Sequence, residues 1–177
     1  MSLRIAALGL LAQHPGSGYD LLKRFEKSMA NVWPATQSQL YGELNKLANA
    51  GLIEVSNIGP RGRKEYQVTD AGRAELLRWI TDPSDDPPVR LPDLLRVFLL
   101  DNIPADEARK HVMAMAEFAD SELDRLGELR DAPIWDGSDA SFFARAALEF
   151  GLRNAVTEGT WARWLLTELD KRAPNHA

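Results

Sequence analysis

The chain has 177 residues, 45% of them hydrophobic, and no cysteine, so it can bury a sizeable core but cannot use disulfides, thiolate catalysis or cysteine-ligated zinc. No apolar run approaches the roughly 18–20 residues of a membrane span, and the opening MSLRIAALGLLAQHPGSGYD is interrupted by Arg4 and lacks a small-residue cleavage site, which points to the cytoplasm. The formal charge of −5 is uneven: Met1 to Ile80 carry 10 Lys and Arg against 7 Asp and Glu, whereas Thr81 to Ala177 carry 11 against 19, so only the first half suits a polyanion.

Leu3, Ile5, Leu8, Leu10 and Leu11 predict a buried helix stopped by HPGSG. Tyr19, Leu22, Phe25 and Met29 predict a second, which Ser17 and Asp20 can cap. The third is signed at both ends: Thr36 and Gln39 form a capping box, Leu40, Leu44 and Leu47 share a face, and Gly51 supplies a stop, giving a helix over 37–50. Ile53 and Val55, then Tyr66 and Val68, alternate with polar residues and predict two strands around the tip GPRGRK. Thr69 caps a fourth helix bearing Leu76, Leu77 and Ile80. Three helices followed by a hairpin is the order of a winged helix-turn-helix, assigned to 1–80.

Four prolines and four aspartates in TDPSDDPPVRLPD mark 81–93 as a linker. Beyond it, 94–177 is a helical domain. It opens with LLRVFLL, and a second helix begins at Pro104 and Asp106 with a stripe of Val112, Met115, Ala119, Leu123 and Leu126. The loop RDAPIWDGSDAS follows, and a final segment of about 33 residues reads as one helix roughly 50 Å long. Its apolar residues Phe142, Phe143, Phe150, Val156, Trp161, Trp164 and Leu165 spread too widely for one neighbouring helix to cover. This predicts a homodimer, with an intramolecular core as the other reading.

The third helix turns Ser38, Gly42, Asn45 and Lys46 away from its leucines, with Tyr41 on the flank. Short, hydrogen-bonding side chains suit entry into a major groove. Gly42, which costs a helix about 1 kcal/mol, fits close approach, and the amino end at Thr36, Gln37 and Ser38 offers N–H groups to a phosphate. Arg61, Arg63 and Lys64 at the hairpin tip, with Gly62 permitting a sharp turn, suit a phosphate backbone or minor groove. A polar helix face or a basic turn alone is usually only solvated. Placed one element apart, they favour duplex DNA. His14, His111 and His176 are dispersed, and Asp85, Asp86 and Asp93 suit linker solubility better than a cation, so we expect no catalytic site, metal or cofactor. Trp33, Trp79, Trp161 and Trp164 read first as packing residues, with an effector pocket as the alternative.

The segments ALGLLAQHPGSGYDLLKRFEKS, WPATQSQLYGELNKLANAGLIE and GPRGRKEYQVTDAGRAEL resemble, in order and spacing, the PadR-like transcriptional regulators. The second half is similar to the subgroup with a long virulence-activator-type carboxy-terminal region. The resemblance implies a winged-helix head, a helical dimerisation domain and a homodimer that binds palindromic double-stranded operator DNA, usually to repress. It also implies DNA-contact roles for Tyr19, Tyr41, Arg61, Arg63, Lys64 and Tyr66. Some members respond to phenolic acids or flat aromatic compounds. The alternative from another class is a winged-helix protein-interaction module that binds no DNA.

Overall fold

A computed structural model of the chain describes residues 2–28, 35–83 and 88–172. It forms two compact units, Met1–Pro88 and Val89–Ala177. The first runs α1 (Ser2–Gln13), β1 (Gly16–Ser17), α2 (Gly18–Ser28), α3 (Gln37–Asn49), β2 (Ile53–Ile58), a 3-10 turn (Pro60–Gly62), β3 (Lys64–Val68) and α4 (Asp70–Thr81). The second comprises α5 (Pro92–Phe98), a 3-10 turn (Leu100–Asn102), α6 (Ala105–Asp131) and α7 (Asp139–Arg172).

α1 is apolar on several sides because it lies at the centre of its unit, packed by α2, α3, α4 and β3, and Ala7, Leu8 and Leu11 are almost completely buried. α3 contributes Leu40, Leu44 and Leu47 to the same core. Its ends follow from the sequence. Thr36 Oγ1 accepts from Gln39 N at 3.3 Å while Gln39 Oε1 accepts from Thr36 N at 2.8 Å, a reciprocal box worth about 1 kcal/mol. At the other end, Leu52 N donates to Leu47 O and Gly51 N to Ala48 O, both at 3.0 Å, with Gly51 at φ 69, where a side chain would be strained. The helix therefore stops at Asn49, with Ala50 as its cap.

The sheet has three strands in the order β1-β3-β2, all antiparallel. β1, only two residues long, pairs Gly16 with Tyr66 and Ser17 with Glu65, where the sequence suggested no more than a stop and a cap. Of the four residues expected to anchor the hairpin, Ile53 and Val68 are buried and Tyr66 half-buried, but Val55 is exposed. Both faces of β2 meet solvent from Glu54 onward, and the register slips between Val55 and Asn57. Thr69 Oγ1 caps α4 by accepting from Gly72 N at 3.1 Å. Gly72 is there because a Cβ would come within 2.1 Å of Leu52 O. On α4, Leu76 packs on the core but Leu77 and Ile80 are exposed. Met29, Trp33 and the linker aspartates Asp85 and Asp86 lie outside the described residues. Thr81 closes α4, and Pro92 opens α5 at a first-turn position, where a missing N–H costs nothing, so both ends of the expected linker are helical.

In the second unit α7 packs along α6 through Leu148, Leu152, Ala155, Gly159 and Ala162, against Ala108, Val112, Ala116, Ala119 and Leu126. The α6 face is shifted toward alanines relative to the expected stripe, and Met115 and Leu123 are only half-buried. The helices approach closely: a Cβ at Gly159 would lie 3.4 Å from that of Ala119. Arg109 to Asp170 and Arg163 to Asp120, each at 2.9 Å, bracket the pair with exposed ion pairs of small energetic weight.

Candidate nucleic-acid interface

The core anchors of α3 fix which residues face outward. With Leu40, Leu44 and Leu47 inward, Gln37, Ser38, Tyr41, Asn45 and Lys46 are exposed, and Gly42 is half-buried. A Cβ at Gly42 would meet nothing within 4 Å, so no neighbour within the chain demands glycine there. Lys46 Nζ lies 2.6 Å from Glu43 Oε1, a pair on the helix surface. The capping box consumes the Gln39 N–H, which leaves those of Gln37 and Ser38 as the first-turn donors it does not use.

Tyr41 leans toward α2. A Cβ at Gly18 would fall 2.7 Å from Tyr41 Cε1, so the ring occupies space that only glycine leaves open. Beside it lies a cleft of about 460 Å³ lined by Ser17, Gly18, Tyr19, Tyr41, Arg63, Lys64 and Tyr66. Tyr41 also borders a second hollow, of about 520 Å³, with Thr36, Gln37 and Ser38. The fold thus gathers three tyrosines, two wing cations and the amino end of α3 around one ring. β1 makes this possible, because its pairing with β3 draws the base of the wing to the start of α2.

The wing tip is a closed turn. Gly59 N donates to Arg63 O at 2.8 Å, Pro60–Gly62 form one 3-10 turn, and Gly62 sits at φ 75. Lys64 is exposed at the start of β3, and the backbone of Arg61 lies within the 3-10 turn. Arg63 forms an ion pair with Asp20 of α2. Asp20 Oδ2 also accepts from Ser17 Oγ at 2.8 Å and Ser17 N at 3.0 Å. The Arg63 guanidinium first, then the two Ser17 donors, hold the Asp20 carboxyl down at about 2. The sequence reading placed Asp20 only as a cap for α2. Its second partner is 43 positions away and left no local signal. Lys23, with its ammonium 5.1 Å from the Tyr19 ring centroid, is another cation on this face that periodicity did not single out. Arg24, by contrast, is structural: it donates to Leu10 O at 3.2 Å and to His14 O, stitching α2 to the end of α1.

On the second unit, Phe142, Phe143, Phe150, Val156 and Trp164 are exposed on α7, with the two adjacent rings edge to face at 5.2 Å. Trp161 and Leu165 differ, since both pack against the buried Val112, Ala116 and Ala162. The apolar helix α5 has no buried residue at all, leaving Leu94, Leu95 and Phe98 exposed. Trp79 is half-buried on α4, and neither cleft described above is lined by Trp79, Trp161 or Trp164.

Residues 7–78 match the family model described as the transcriptional regulator PadR-like family, and residues 89–170 match the virulence activator alpha C-terminal model. The first unit thus carries a PadR-like domain. A probable transcriptional regulator of Mycobacterium tuberculosis is 38% identical over 86 residues, 47% of this chain and 46% of that one. The negative transcriptional regulator PadR of Bacillus subtilis is 38% identical over 81 residues, 44% of each, so the matches span about half the length of these curated relatives. Solved structures match far more of the chain. Bacillus subtilis PadR in complex with operator DNA superimposes with a TM-score of 0.80 at 25% identity, covering 96% of this chain and 99% of that one, and its complex with p-coumaric acid gives 0.80 at 28% over the same shares. The Vibrio cholerae virulence activator AphA gives 0.83 at 26%, over 97% and 100%. Family and neighbours are transcription regulators built on a winged helix, and not enzymes. Among the described residues, no helix is long and apolar enough to cross a membrane.

Proposed function

We propose that the chain is a dimeric, sequence-specific DNA-binding repressor acting in the cytoplasm. The observation that carries this reading is the single surface on which the exposed polar face of α3, its uncapped first-turn N–H groups, the three tyrosines and Lys64 converge. α3 enters the major groove, where Asn45 and Ser38 meet base edges, while Lys64 and Arg61 meet phosphates. Tyr19, Tyr41, Tyr66, Gly62, Thr36, Gln37 and Lys46 complete the contact. That a neighbour of the same fold is solved with operator DNA supports DNA as the partner. The exposed faces of α5 and α7 are covered by a second copy, and a twofold pair of heads reads a palindromic operator. A small aromatic effector relieves repression, as the p-coumaric acid complex of the Bacillus protein suggests.

Selection of duplexes from a random pool tests the reading directly. A twofold-symmetric consensus is expected, and failure to retain any duplex at low salt would leave a protein-interaction module instead. Lys64→Ala should weaken binding on every sequence and reduce the log–log salt slope by about 0.9. Asn45→Ala should relax base preference, and uniform weakening on all operators would count against direct readout.

A further inference from the structure

A wing cation expected to serve DNA is already engaged within the protein. Arg63 donates to Oδ2 of Asp20 on α2, and the same oxygen accepts two bonds from Ser17. Ser17 is 3% exposed and pairs with Glu65 in the sheet, so the carboxylate is anchored by a buried residue. A fixed acceptor fixes its donor. Arg63 in turn closes the tip, since its carbonyl accepts from Gly59 N at 2.8 Å and its N–H donates to Pro60 O at 3.4 Å. One side chain thereby ties the wing turn to the start of α2, beside the cleft it helps to line. Among the described residues, the adjacent Lys64 forms no ion pair.

We propose that Arg63 is a positioning residue, which sets the wing through Asp20 and is not among the phosphate contacts. Two physical arguments favour this. A guanidinium bound to a charged acceptor gains little by exchanging it for a phosphate, because both are charge-assisted bonds. An unpaired carboxylate at this surface would also repel the duplex, so Arg63 cancels a charge that the anchoring of Asp20 requires. With its carboxyl held near 2, Asp20 stays ionised at any working pH. The inference rests on the DNA-binding reading, and it moves the phosphate role onto Lys64 and Arg61.

The test uses the full chain with Asp20→Asn, Arg63→Gln and the double variant, the asparagine keeping an oxygen for Ser17. Binding to a random-sequence duplex is measured across salt, and hydrogen exchange of the Gly59 and Arg63 amides is followed without DNA. Each single variant should weaken binding about 1.4- to 5-fold, the range of an exposed ion pair, with the double no weaker than either single. The salt slope should stay unchanged, and the two amides should exchange faster by a similar factor. A slope lower by about 0.9 for Arg63→Gln, with tighter binding by Asp20→Asn, would make Arg63 a phosphate contact and overturn the proposal. Unchanged exchange in both single variants would overturn it too. If the wild-type chain retains no duplex, the DNA-binding reading fails separately, and the exchange measurement still decides whether this pair holds the wing.

Discussion

Gly42 separates stability from function in a single substitution. A glycine in a helix interior costs about 1 kcal/mol relative to alanine, through backbone entropy and lost shielding. Gly42 lies in the sixth position of α3, with nothing within 4 Å of where its Cβ would sit, so Gly42→Ala incurs no packing penalty inside the chain. The variant should therefore gain about 0.5–1 kcal/mol, which for a unit of this size is a rise of roughly 2–8 °C in Tm. Against DNA the sign reverses. If α3 lies in a groove with its axis close to the base edges, the added methyl meets the duplex, and overpacking of this kind costs roughly 1–3 kcal/mol, or about 5- to 150-fold in Kd. Calorimetry and operator titration at one salt concentration give both numbers on the same preparation. A stabilised variant with unchanged operator affinity would refute close approach at Gly42. A destabilised one would refute the open-space argument.

Gly18→Ala sets a Cβ 2.7 Å from Tyr41 Cε1, so it should lower stability by roughly 1–3 kcal/mol and weaken operator binding. Adding Tyr41→Ala should restore the melting temperature but not the affinity, and failure to restore it would mean the strain lies elsewhere. For pH, the Asp20 carboxyl is depressed from 3.8 to about 2, so its contribution to stability is present in full above 3.8 and is lost as pH falls toward 2. The change of melting temperature with pH between 5 and 8 should therefore carry no contribution from Asp20, and an inflection there that vanishes in Asp20→Asn would contradict the assignment. Phe150, 73% exposed on α7, should be dispensable to the fold of one protomer but not to assembly. Phe150→Asp should shift sedimentation toward monomer with unchanged helix content, and an unshifted profile would remove Phe150 from the interface.

What could be read in advance was local. The capping box at Thr36 and Gln39, the stop at Gly51 and the long terminal helix each depend on residues within a few positions, so composition and spacing reveal them. What could not be read depends on partners far apart in the chain. β1 is two residues that become a strand only because β3 arrives beside them, the Asp20–Arg63 pair joins that same wing to α2, and the Gly18–Tyr41 contact needs α2 packed on α3. Val55 keeps the register that alternation assigns it, opposite Tyr66, yet is exposed, since spacing along a strand gives a face but not what covers it. α5 shows the opposite limit. Its sequence is strongly apolar, yet none of its residues is buried, since an apolar run predicts a helix without saying what covers it.

The distribution of charge now has a physical account at two scales. Over the whole chain the balance of −5 disfavours DNA, but the second half holds the excess of carboxylates and the first half the surplus of cations. Within the winged unit the cations divide again by task. Arg24 binds backbone carbonyls of α1, and Arg63 binds Asp20, while Lys64 stands exposed on the cleft. Counting basic residues thus overstates the number available to phosphate, because a cation bound within the fold releases no counterion when DNA arrives. The measured salt slope should accordingly be smaller than the basic residues of the wing and α2 would suggest. It should track Lys64 and Arg61, and stay insensitive to Arg63, which holds the wing, and to Arg24, which holds α2 to α1.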